Sequence, residues 1–181
     1  MIKLPQQFAS KMEQEFLKPE KVLEKLELNK KMIAADFGCG SGGWAIPLAK
    51  KVKWVFAIDL LEEPLSALRG RMRMEKVFNI DALRGNVEGK TTLLSESCDL
   101  VLMTNLLFQV DDIKKVFEEA KRVLRKGGKI LVVDWKENAE VGPEKRVSLE
   151  KIKEVAKEVG LNFEKEFEAG IYHFGAIFSK K

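Results

Sequence analysis

Short apolar runs alternate with amphipathic segments from about residue 32 to about residue 160. The runs that predict strands are MIAADFG, WVFAID, a weaker NIDALRG, CDLVLMT and KILVVDW. The segments that predict helices are WAIPLAKK, EPLSALRGRM, DIKKVFEEAKRVLRK and SLEKIKEVAKEVG. Because alternation of this kind is typical of parallel sheets, and because CDLVLMT and KILVVDW are apolar almost throughout, we expect a sheet that is buried beneath helices on both faces.

The ends of several elements carry recognisable signals. Ser148 is expected to cap the last helix, and Gly127 with Gly128 follows the basic end LRK as a helix C-cap would. After Gly160 two runs, LNFEKEFEAG and IYHFGAIFSKK, are separated by little more than Ala169 and Gly170. These runs predict a closing antiparallel hairpin.

Composition narrows the class of protein. The chain has 181 residues, of which 45% are hydrophobic and 33% charged, so we expect one folded domain spanning residues 1–181. Its 32 basic and 28 acidic residues are mixed along the chain, and no strongly basic face that would indicate nucleic acid is evident. Without a long apolar run, we expect a cytoplasmic protein with no membrane insertion. Cys39 and Cys98 stand apart from any histidine cluster and predict buried thiols rather than a metal site.

The stretch AADFGCGSGGWAIPLA joins the first predicted strand to the first predicted helix after it. Glycine permits positive φ angles and close approach of the backbone, so such a loop can bring its amides up to a bound polar group. Gly38, Gly40 and Gly43 match GxGxxG, a dinucleotide fingerprint, whereas Gly38, Gly40 and Gly42 match GxGxG. Glycine spacing alone does not decide between these two motifs, and it is also compatible with a tight turn that binds no ligand.

Two acidic residues near the loop narrow the choice. Asp59 ends the next predicted strand, about twenty residues on, where a carboxylate can accept hydrogen bonds from both ribose hydroxyls. The alternative is a helix N-cap or a solvated loop acid. Asp36 lies two residues before the first glycine, where its charge would repel a pyrophosphate but would suit a cationic or amino-bearing ligand.

With Asp36 included, the stretch resembles the first motif of the class I S-adenosylmethionine-dependent methyltransferases, an acid followed by GxGxG. The resemblance implies an α/β fold, Rossmann-like and doubly wound, with a mostly parallel seven-stranded sheet and an antiparallel C-terminal strand. It also implies S-adenosyl-L-methionine as the cofactor and S-adenosyl-L-homocysteine as the product. The residues at which it places the cofactor are Asp36, Gly38, Cys39, Gly40, Asp59, Leu60, Asn86, Val87 and Thr104.

The resemblance continues in order to about residue 180. Arg84-Gly85-Asn86-Val87 stands at the family's adenine-contacting segment, although many members have Asp at the position of Asn86. CDLVLMTNLLFQV resembles the fourth motif, and VFEEAKRVLRKGGKILVVDW resembles the helix, glycine turn and fifth strand. Within the family the chain is similar to the ubiquinone and menaquinone C-methyltransferases, which implies in-line methyl transfer to a small-molecule acceptor.

The acceptor site is less defined by the sequence. Asn105, Phe108, Trp135 and His173 are expected to bind the acceptor, because open α/β sheets bind ligands beyond the carboxyl ends of their strands. A general base is not essential for this reaction, so no catalytic residue is assigned. If a base is used, the candidates are Asp134, Glu137, Tyr172 and His173. His173 and Trp135 have packing in the core as their alternative role.

Several questions stay open at this point. Residues 1–28 predict a helical extension that either closes over the cofactor as a lid or docks on the edge of the sheet. The polar segment KENAEVGPEKRVS is either a cover over the acceptor or a solvated connection.

The alternative functions are a cofactor-binding module without turnover and an NAD(P)-dependent reductase. The reductase is disfavoured because it would need catalytic groups such as a Tyr and Lys pair, and Tyr172 is the only tyrosine. The oligomeric state does not follow from the sequence.

Overall fold

A computed structural model describes residues 17–181 of the chain. The described residues form one seven-stranded sheet with five helices against it. The strands are β1 (Ile33–Phe37), β2 (Trp54–Asp59), β3 (Ile80–Arg84), β4 (Cys98–Thr104), β5 (Leu124–Trp135), β6 (Asn162–Gly170) and β7 (His173–Ser179). The helices are α1 (Pro19–Leu23), α2 (Ala45–Ala49), α3 (Glu62–Glu75), α4 (Ile113–Val123) and α5 (Leu149–Glu158).

The strand order is β3-β2-β1-β4-β5-β7-β6. The first five strands pair in parallel, and β7 runs antiparallel to both β5 and β6. The chain moves outward from β1 to β3, then returns to the other side of β1 and continues through β4 and β5. The order therefore reverses between β1 and β4, the place where open α/β sheets form a ligand crevice. The predicted Rossmann-like, doubly wound fold is confirmed.

Both faces of the sheet are covered, as the apolar strands predict. Along β4, Val101 and Met103 pack into the hydrophobic cluster that includes α4 and α5. Leu100 and Leu102 point the other way, into the cluster that includes α1, α2 and α3. Since successive side chains of a strand alternate between faces, an apolar residue at every position requires helices on both sides.

The signals at element ends were partly right. Ser148 caps α5, and its hydroxyl accepts a hydrogen bond of 3.1 Å from the Lys151 backbone N–H. The prediction that Gly127 and Gly128 form a helix C-cap is wrong, because α4 ends at Val123 and both glycines lie within β5. Backbone hydrogen bonds join each of these glycines to Lys180, from Gly127 N at 2.8 Å and to Gly128 O at 3.0 Å. Pairing with the C-terminal segment therefore replaces the last turn of the helix.

The closing hairpin is confirmed, with its turn two residues later than expected. Ala169 and Gly170 belong to β6, and the turn consists of Ile171 and Tyr172. Gly170 is paired with His173 across this turn. The hairpin thereby adds two antiparallel strands beyond β5 and completes the sheet.

The N-terminal extension is described only in part, because residues 1–16 lie outside the described residues. From residue 17 onward, α1 buries Val22 and Leu23, and Leu26 is buried in the same hydrophobic cluster. This part docks on the body of the protein, whereas the predicted lid falls mainly on residues that the structure does not describe. Within residues 17–181, every helix is too short or too polar to cross a membrane.

Candidate functional site

The glycine loop follows β1, and its backbone conformation distinguishes the GxGxG motif from the GxGxxG motif. Gly38, Gly40 and Gly42 have φ angles of +70°, +52° and +86°, whereas the φ angle of Gly43 is not positive. A Cβ atom on Gly42 would lie 2.4 Å from Leu68 Cδ1, but one on Gly43 would meet nothing within 4 Å. The backbone therefore requires the glycines of GxGxG and tolerates a side chain at the last glycine of GxGxxG.

Asp59, at the end of β2, fixes this loop. Its Oδ2 accepts a hydrogen bond of 2.9 Å from Gly40 N, and its Oδ1 accepts one of 3.0 Å from Leu61 N. The loop is also joined to β2 through Ile58, whose carbonyl accepts hydrogen bonds from Gly38 N at 2.8 Å and Cys39 N at 3.0 Å. The end of β2 thus sets the shape of the loop, in addition to any contact that Asp59 makes with a ligand.

Asp36, on β1, is 0% exposed, and neither oxygen of its carboxylate has a hydrogen-bond partner among the described residues. Burial, and then the charge of Asp59, raise the pKa of Asp36 to about 8; the Ala45 backbone N–H opposes this shift without reaching normal hydrogen-bond geometry. Asn105, which follows β4, likewise has a buried Oδ1 without a donor in the described part of the chain. Neighbouring strands thus end in buried acceptor atoms that lack donors.

The segment after β3 forms the opposite side of the site. Gly85 N donates a hydrogen bond of 2.9 Å to Asp59 O. The side chain of Asn86 accepts one of 2.9 Å from Glu88 N, so its carbonyl oxygen stabilises a local turn. Val87 is buried, and Asn86 is exposed to solvent. Asn86 therefore uses its side-chain oxygen within the turn and leaves its amide nitrogen for other contacts.

These elements enclose a cleft of about 360 Å³ at the carboxyl ends of the strands. Six of the nine predicted cofactor residues line it: Gly38, Gly40, Asp59, Leu60, Asn86 and Val87. The other three, Asp36, Cys39 and Thr104, are buried and do not line it. Gly85 belongs to the predicted adenine-contacting segment, and seven further lining residues were not individually predicted: Ile58, Leu61, Pro64, Glu88, Leu106, Gln109 and Val110.

The signal that could have identified the missed residues was positional. Leu106, Gln109 and Val110 belong to the segment after β4, and Glu88 lies in the turn after β3. Because parallel strands end at one edge, the first residues after each strand are candidates to line the crevice, whatever their polarity. Apolar residues such as Leu106 were not assigned individually, because nothing in their chemistry marks a ligand.

None of the four residues expected to bind the acceptor lines the cleft. The rings of Trp135 and His173 are in contact, with centroids 4.2 Å apart. His173 is 1% exposed, and burial, followed by the charge of Lys136, lowers its pKa to about 4. Phe108 is partly buried against the hydrophobic core. Asn105 and Phe108 directly precede the lining residues Leu106 and Gln109.

The candidate bases are distributed differently. Asp134 is buried, and its carboxylate accepts hydrogen bonds from Leu107 N at 3.1 Å and Trp135 N at 2.8 Å. Burial raises the pKa of Asp134 to about 6, although these two hydrogen bonds oppose the shift. Glu137 is exposed after β5, and Tyr172 is in the hairpin turn. None of these groups lines the cleft.

The polar segment after β5 is ordered by one side chain. The Arg146 guanidinium donates hydrogen bonds to the carbonyls of Glu137 at 2.7 Å, Pro143 at 2.9 Å and Val141 at 3.1 Å. Lys145 Nζ donates one of 2.8 Å to the carbonyl of Val110, which lines the cleft. The segment is therefore joined to the rim of the cleft, as a cover over the acceptor would need to be.

The strand order reverses beside a GxGxG loop, a buried acid precedes this loop, and a second acid accepts a hydrogen bond from it. Together these features are those of the class I S-adenosylmethionine-dependent methyltransferases. Comparison with known proteins agrees. Residues 35–132, more than half of the chain, match the family model described as "Methyltransferase domain". The chain belongs to this family, whose cofactor is S-adenosylmethionine.

A solved S-adenosylmethionine-dependent methyltransferase from Aquifex aeolicus is 27% identical, covers 97% of this chain and 98% of its own, and has a TM-score of 0.85. A probable cobalt-precorrin-6B C(15)-methyltransferase of Methanocaldococcus jannaschii is 36% identical over 64 residues, 35% of each chain. The match thus spans about a third of that relative's length. A demethylmenaquinone methyltransferase of Geobacillus is 24% identical over 126 residues, 68% of this chain and 53% of its own. A tRNA/tmRNA (uracil-C(5))-methyltransferase of Sulfurimonas denitrificans is 30% identical over 88 residues, 46% of this chain and 23% of its own.

Proposed function

We propose that this chain binds S-adenosylmethionine in the cleft described above and transfers its methyl group to a small-molecule acceptor. The observation that carries the proposal is the buried Asp36 carboxylate, which lacks a hydrogen-bond donor among the described residues. A buried acceptor without a donor costs about 1–3 kcal/mol, and more when it is charged, so such a group indicates that a ligand supplies the donor.

The chemistry of the acceptors supports this cofactor. An ammonium group has up to three N–H donors, and Asp36 with Asn105 offers three buried oxygens without donors among residues 17–181. A positive ligand beside Asp36 would also favour the ionised carboxylate, whose pKa is otherwise raised to about 8. A pyrophosphate has no such donors and would add negative charge. This contrast disfavours an NAD(P)-dependent reductase.

The residues divide along the cleft by their chemistry. The carboxylate of Asp36 and the Oδ1 of Asn105, which are buried just before the lining residues Gly38 and Leu106, would hold the amino end of the cofactor. The loop at Gly38 and Gly40 would lie along its methionine portion. Asp59, which keeps unused lone pairs beside its two amide contacts, would accept the ribose hydroxyls. The adenine would lie among other lining residues, which include Leu60, Asn86, Val87 and Glu88. Cys39 and Thr104 would support the site from beneath.

The bound cofactor supplies a methyl group that its sulfonium already activates for in-line displacement. The work of the chain is then to align the acceptor with the methyl group and to keep water out. Leu106 and Val110 give the cleft apolar walls that serve both purposes. The carboxylates of Asp59 and Glu88, which line the cleft, already accept backbone N–H groups. We therefore assign no dedicated general base.

A small acceptor is favoured by two observations. Charges of both signs are mixed along the chain, with no basic face evident in the sequence. Two relatives bear the names of enzymes that act on a cobalt-precorrin and on demethylmenaquinone. RNA is the second candidate, because another relative is named as a tRNA/tmRNA methyltransferase. Phe108, Trp135 and His173 remain the proposed acceptor contacts, whereas Asn105 is now proposed for the amino end of the cofactor. A cytoplasmic location remains a prediction.

Incubation of the protein with methyl-labelled S-adenosylmethionine and a size-fractionated cell extract tests the proposal. We expect label in the small-molecule fraction, and none with an Asp36→Asn variant that is folded by circular dichroism. Label in RNA alone would show that the protein is a methyltransferase that acts on RNA and not on a small molecule. Binding of the cofactor without transfer to any fraction would instead support a binding module without turnover.

A further inference from the structure

Residues 105–112, which we call the post-β4 loop, form one wall of the cleft through Leu106, Gln109 and Val110. The loop begins with a left-handed residue, Asn105, whose φ angle is +51°. Such a conformation costs of order 1 kcal/mol for a residue other than glycine and persists only where the surroundings impose it. The contacts that hold the loop therefore determine the shape of the cleft.

Asp134, at the end of β5, holds the start of the loop. It is 1% exposed, and its Oδ2 accepts a hydrogen bond of 3.1 Å from the backbone N–H of Leu107. The carbonyl of Val133, the preceding residue, accepts one of 2.8 Å from Asn105 N. Two consecutive residues of β5 thus fix the backbone on both sides of Leu106.

The end of the loop is held from other elements. Glu88 Oε1 accepts hydrogen bonds from Asp111 N at 3.0 Å and Asp112 N at 2.7 Å. Lys145 Nζ donates one of 2.8 Å to Val110 O. Since Glu88 itself lines the cleft, a change at Glu88 would alter contacts with a ligand directly. Asp134 does not line the cleft, and both of its carboxylate oxygens already accept backbone amides, so we expect it to affect a ligand through the loop.

Leu106 joins the post-β4 loop to the glycine motif by direct contact. A Cβ atom on Gly38 would lie 2.7 Å from Leu106 Cδ1, so the two residues are in tight contact. Leu106 lies between Asn105, which offers a buried oxygen, and Leu107, whose amide Asp134 holds. Displacement of Leu107 would therefore move both the apolar wall and the nearby polar acceptor.

We propose that Asp134 is a positioning residue of the cofactor cleft, which acts by holding the Leu107 amide and thereby placing Leu106 against Gly38. This role rests on the proposed function, because it assigns the cofactor to that cleft. It differs from the role of general base, for which Asp134 was a candidate from the sequence. Its carboxylate is occupied by two backbone amides and does not reach the cleft lining.

Calorimetric titration of S-adenosylhomocysteine into Asp134→Ala and Asp134→Asn tests the proposal. Loss of the carboxylate in Asp134→Ala should weaken binding about tenfold, the effect of one hydrogen bond of ordinary strength. The carboxamide oxygen of Asp134→Asn can still accept from Leu107 N while its NH2 group faces Trp135 N, so this variant should restore part of the affinity. Amide hydrogen exchange at Leu107 should be faster in Asp134→Ala and near the parental rate in Asp134→Asn.

Asp99→Ala is the matched control. Asp99 also accepts a backbone amide, Ile33 N at 2.7 Å, but it lies at the opposite end of β4 from the loop. Its loss should lower the melting temperature without changing the affinity. Parental affinity in Asp134→Ala, equal weakening in Asp134→Asn, or equal weakening in Asp99→Ala would each overturn the positioning role alone. No binding by the parent protein would overturn the cofactor site, and this inference with it.

Discussion

The carboxylate of Asp59 accepts a hydrogen bond of 2.9 Å from the backbone N–H of Gly40. The acid expected to bind ribose therefore also holds the loop expected to lie along the methionine portion of the cofactor. A carboxylate has about four lone-pair sites, so it can accept an amide and a hydroxyl at once. The end of β2 thus links both halves of the proposed cofactor site through one side chain.

Substitution of Asp59 tests its contribution to the binding of the cofactor. Asp59→Ala should weaken S-adenosylhomocysteine binding by about 2 kcal/mol, or roughly 30-fold, because hydrogen bonds to a charged group are lost. Asp59→Asn keeps one acceptor oxygen and should lose less. Calorimetry measures both, with Asp81→Ala, which removes an exposed contact to Trp54 Nε1, as the control of unchanged affinity. Equal affinity in Asp59→Ala and the parent would remove the ribose assignment.

The Asp36→Asn variant should be more stable than the parent without a ligand, and it should bind the cofactor more weakly. Asp36 has a folded-state pKa of about 8, raised by burial and by Asp59 from an ordinary value of 3.8. The folded protein therefore binds a proton that the unfolded chain releases, and stability falls as the pH rises from about 4 to about 8. The variant cannot ionise, so this group's share of the fall should disappear.

Thermal melts without a ligand, at several pH values, measure this effect. We expect Asp36→Asn to melt above the parent at pH 8, by a margin that shrinks toward pH 4, and to bind S-adenosylhomocysteine poorly. Asp134→Asn serves as a comparison, because the pKa of Asp134 is raised only to about 6 and its share of the fall ends at lower pH. If the melting temperatures of Asp36→Asn and the parent fell equally with pH, the raised pKa of Asp36 would not be the cause of the loss of stability.

A pair of neighbouring glycines distinguishes the two motif spellings. Gly42→Ala should destabilise the protein by about 1–3 kcal/mol, because its φ angle is +86° and its Cβ atom would lie 2.4 Å from Leu68 Cδ1. Gly43→Ala should change stability by less than about 0.5 kcal/mol, since its Cβ atom would enter open space. Chemical denaturation measures both variants. A larger loss for Gly43→Ala would support the dinucleotide spelling.

Much of the fold followed from the sequence because the chemistry of buried parallel strands is simple. CDLVLMT is apolar on both faces, and the structure places helices on both sides of it. The end of α4 was misplaced because LRKGG carries the local signals of a helix terminus. Its strand partner, Lys180, is more than fifty residues away and leaves no local pattern.

The candidate site was predictable where the chemistry is distinctive. Glycines and acids mark Gly38, Gly40 and Asp59, and these residues line the cleft. Glu88 and Asp134 were not assigned to the loop that they hold, because their partners are backbone amides of segments distant in sequence. Trp135 and His173 contact each other, an outcome that one strand's pattern cannot distinguish from contact with a ligand.

Deletion of residues 1–18 tests the proposed lid. α1 begins at Pro19, so the deletion leaves the buried Val22 and Leu23 in place. A lid that closes over the cofactor should slow its release, and we expect the deletion to weaken S-adenosylhomocysteine binding about tenfold or less, mainly through faster dissociation. Stopped-flow displacement measures the rate. Unchanged affinity and dissociation rate would leave docking on the sheet edge as the role of this extension.

The choice of cofactor is tested most directly by calorimetric titration of the same preparation with S-adenosylhomocysteine and, separately, with NADH. The buried oxygens of Asp36 favour a ligand with an amino group, which supplies the donors that a pyrophosphate lacks. We predict one site per chain for S-adenosylhomocysteine and no measurable heat with NADH at the same concentration. Tight binding of NADH without binding of S-adenosylhomocysteine would contradict the assignment of this cleft.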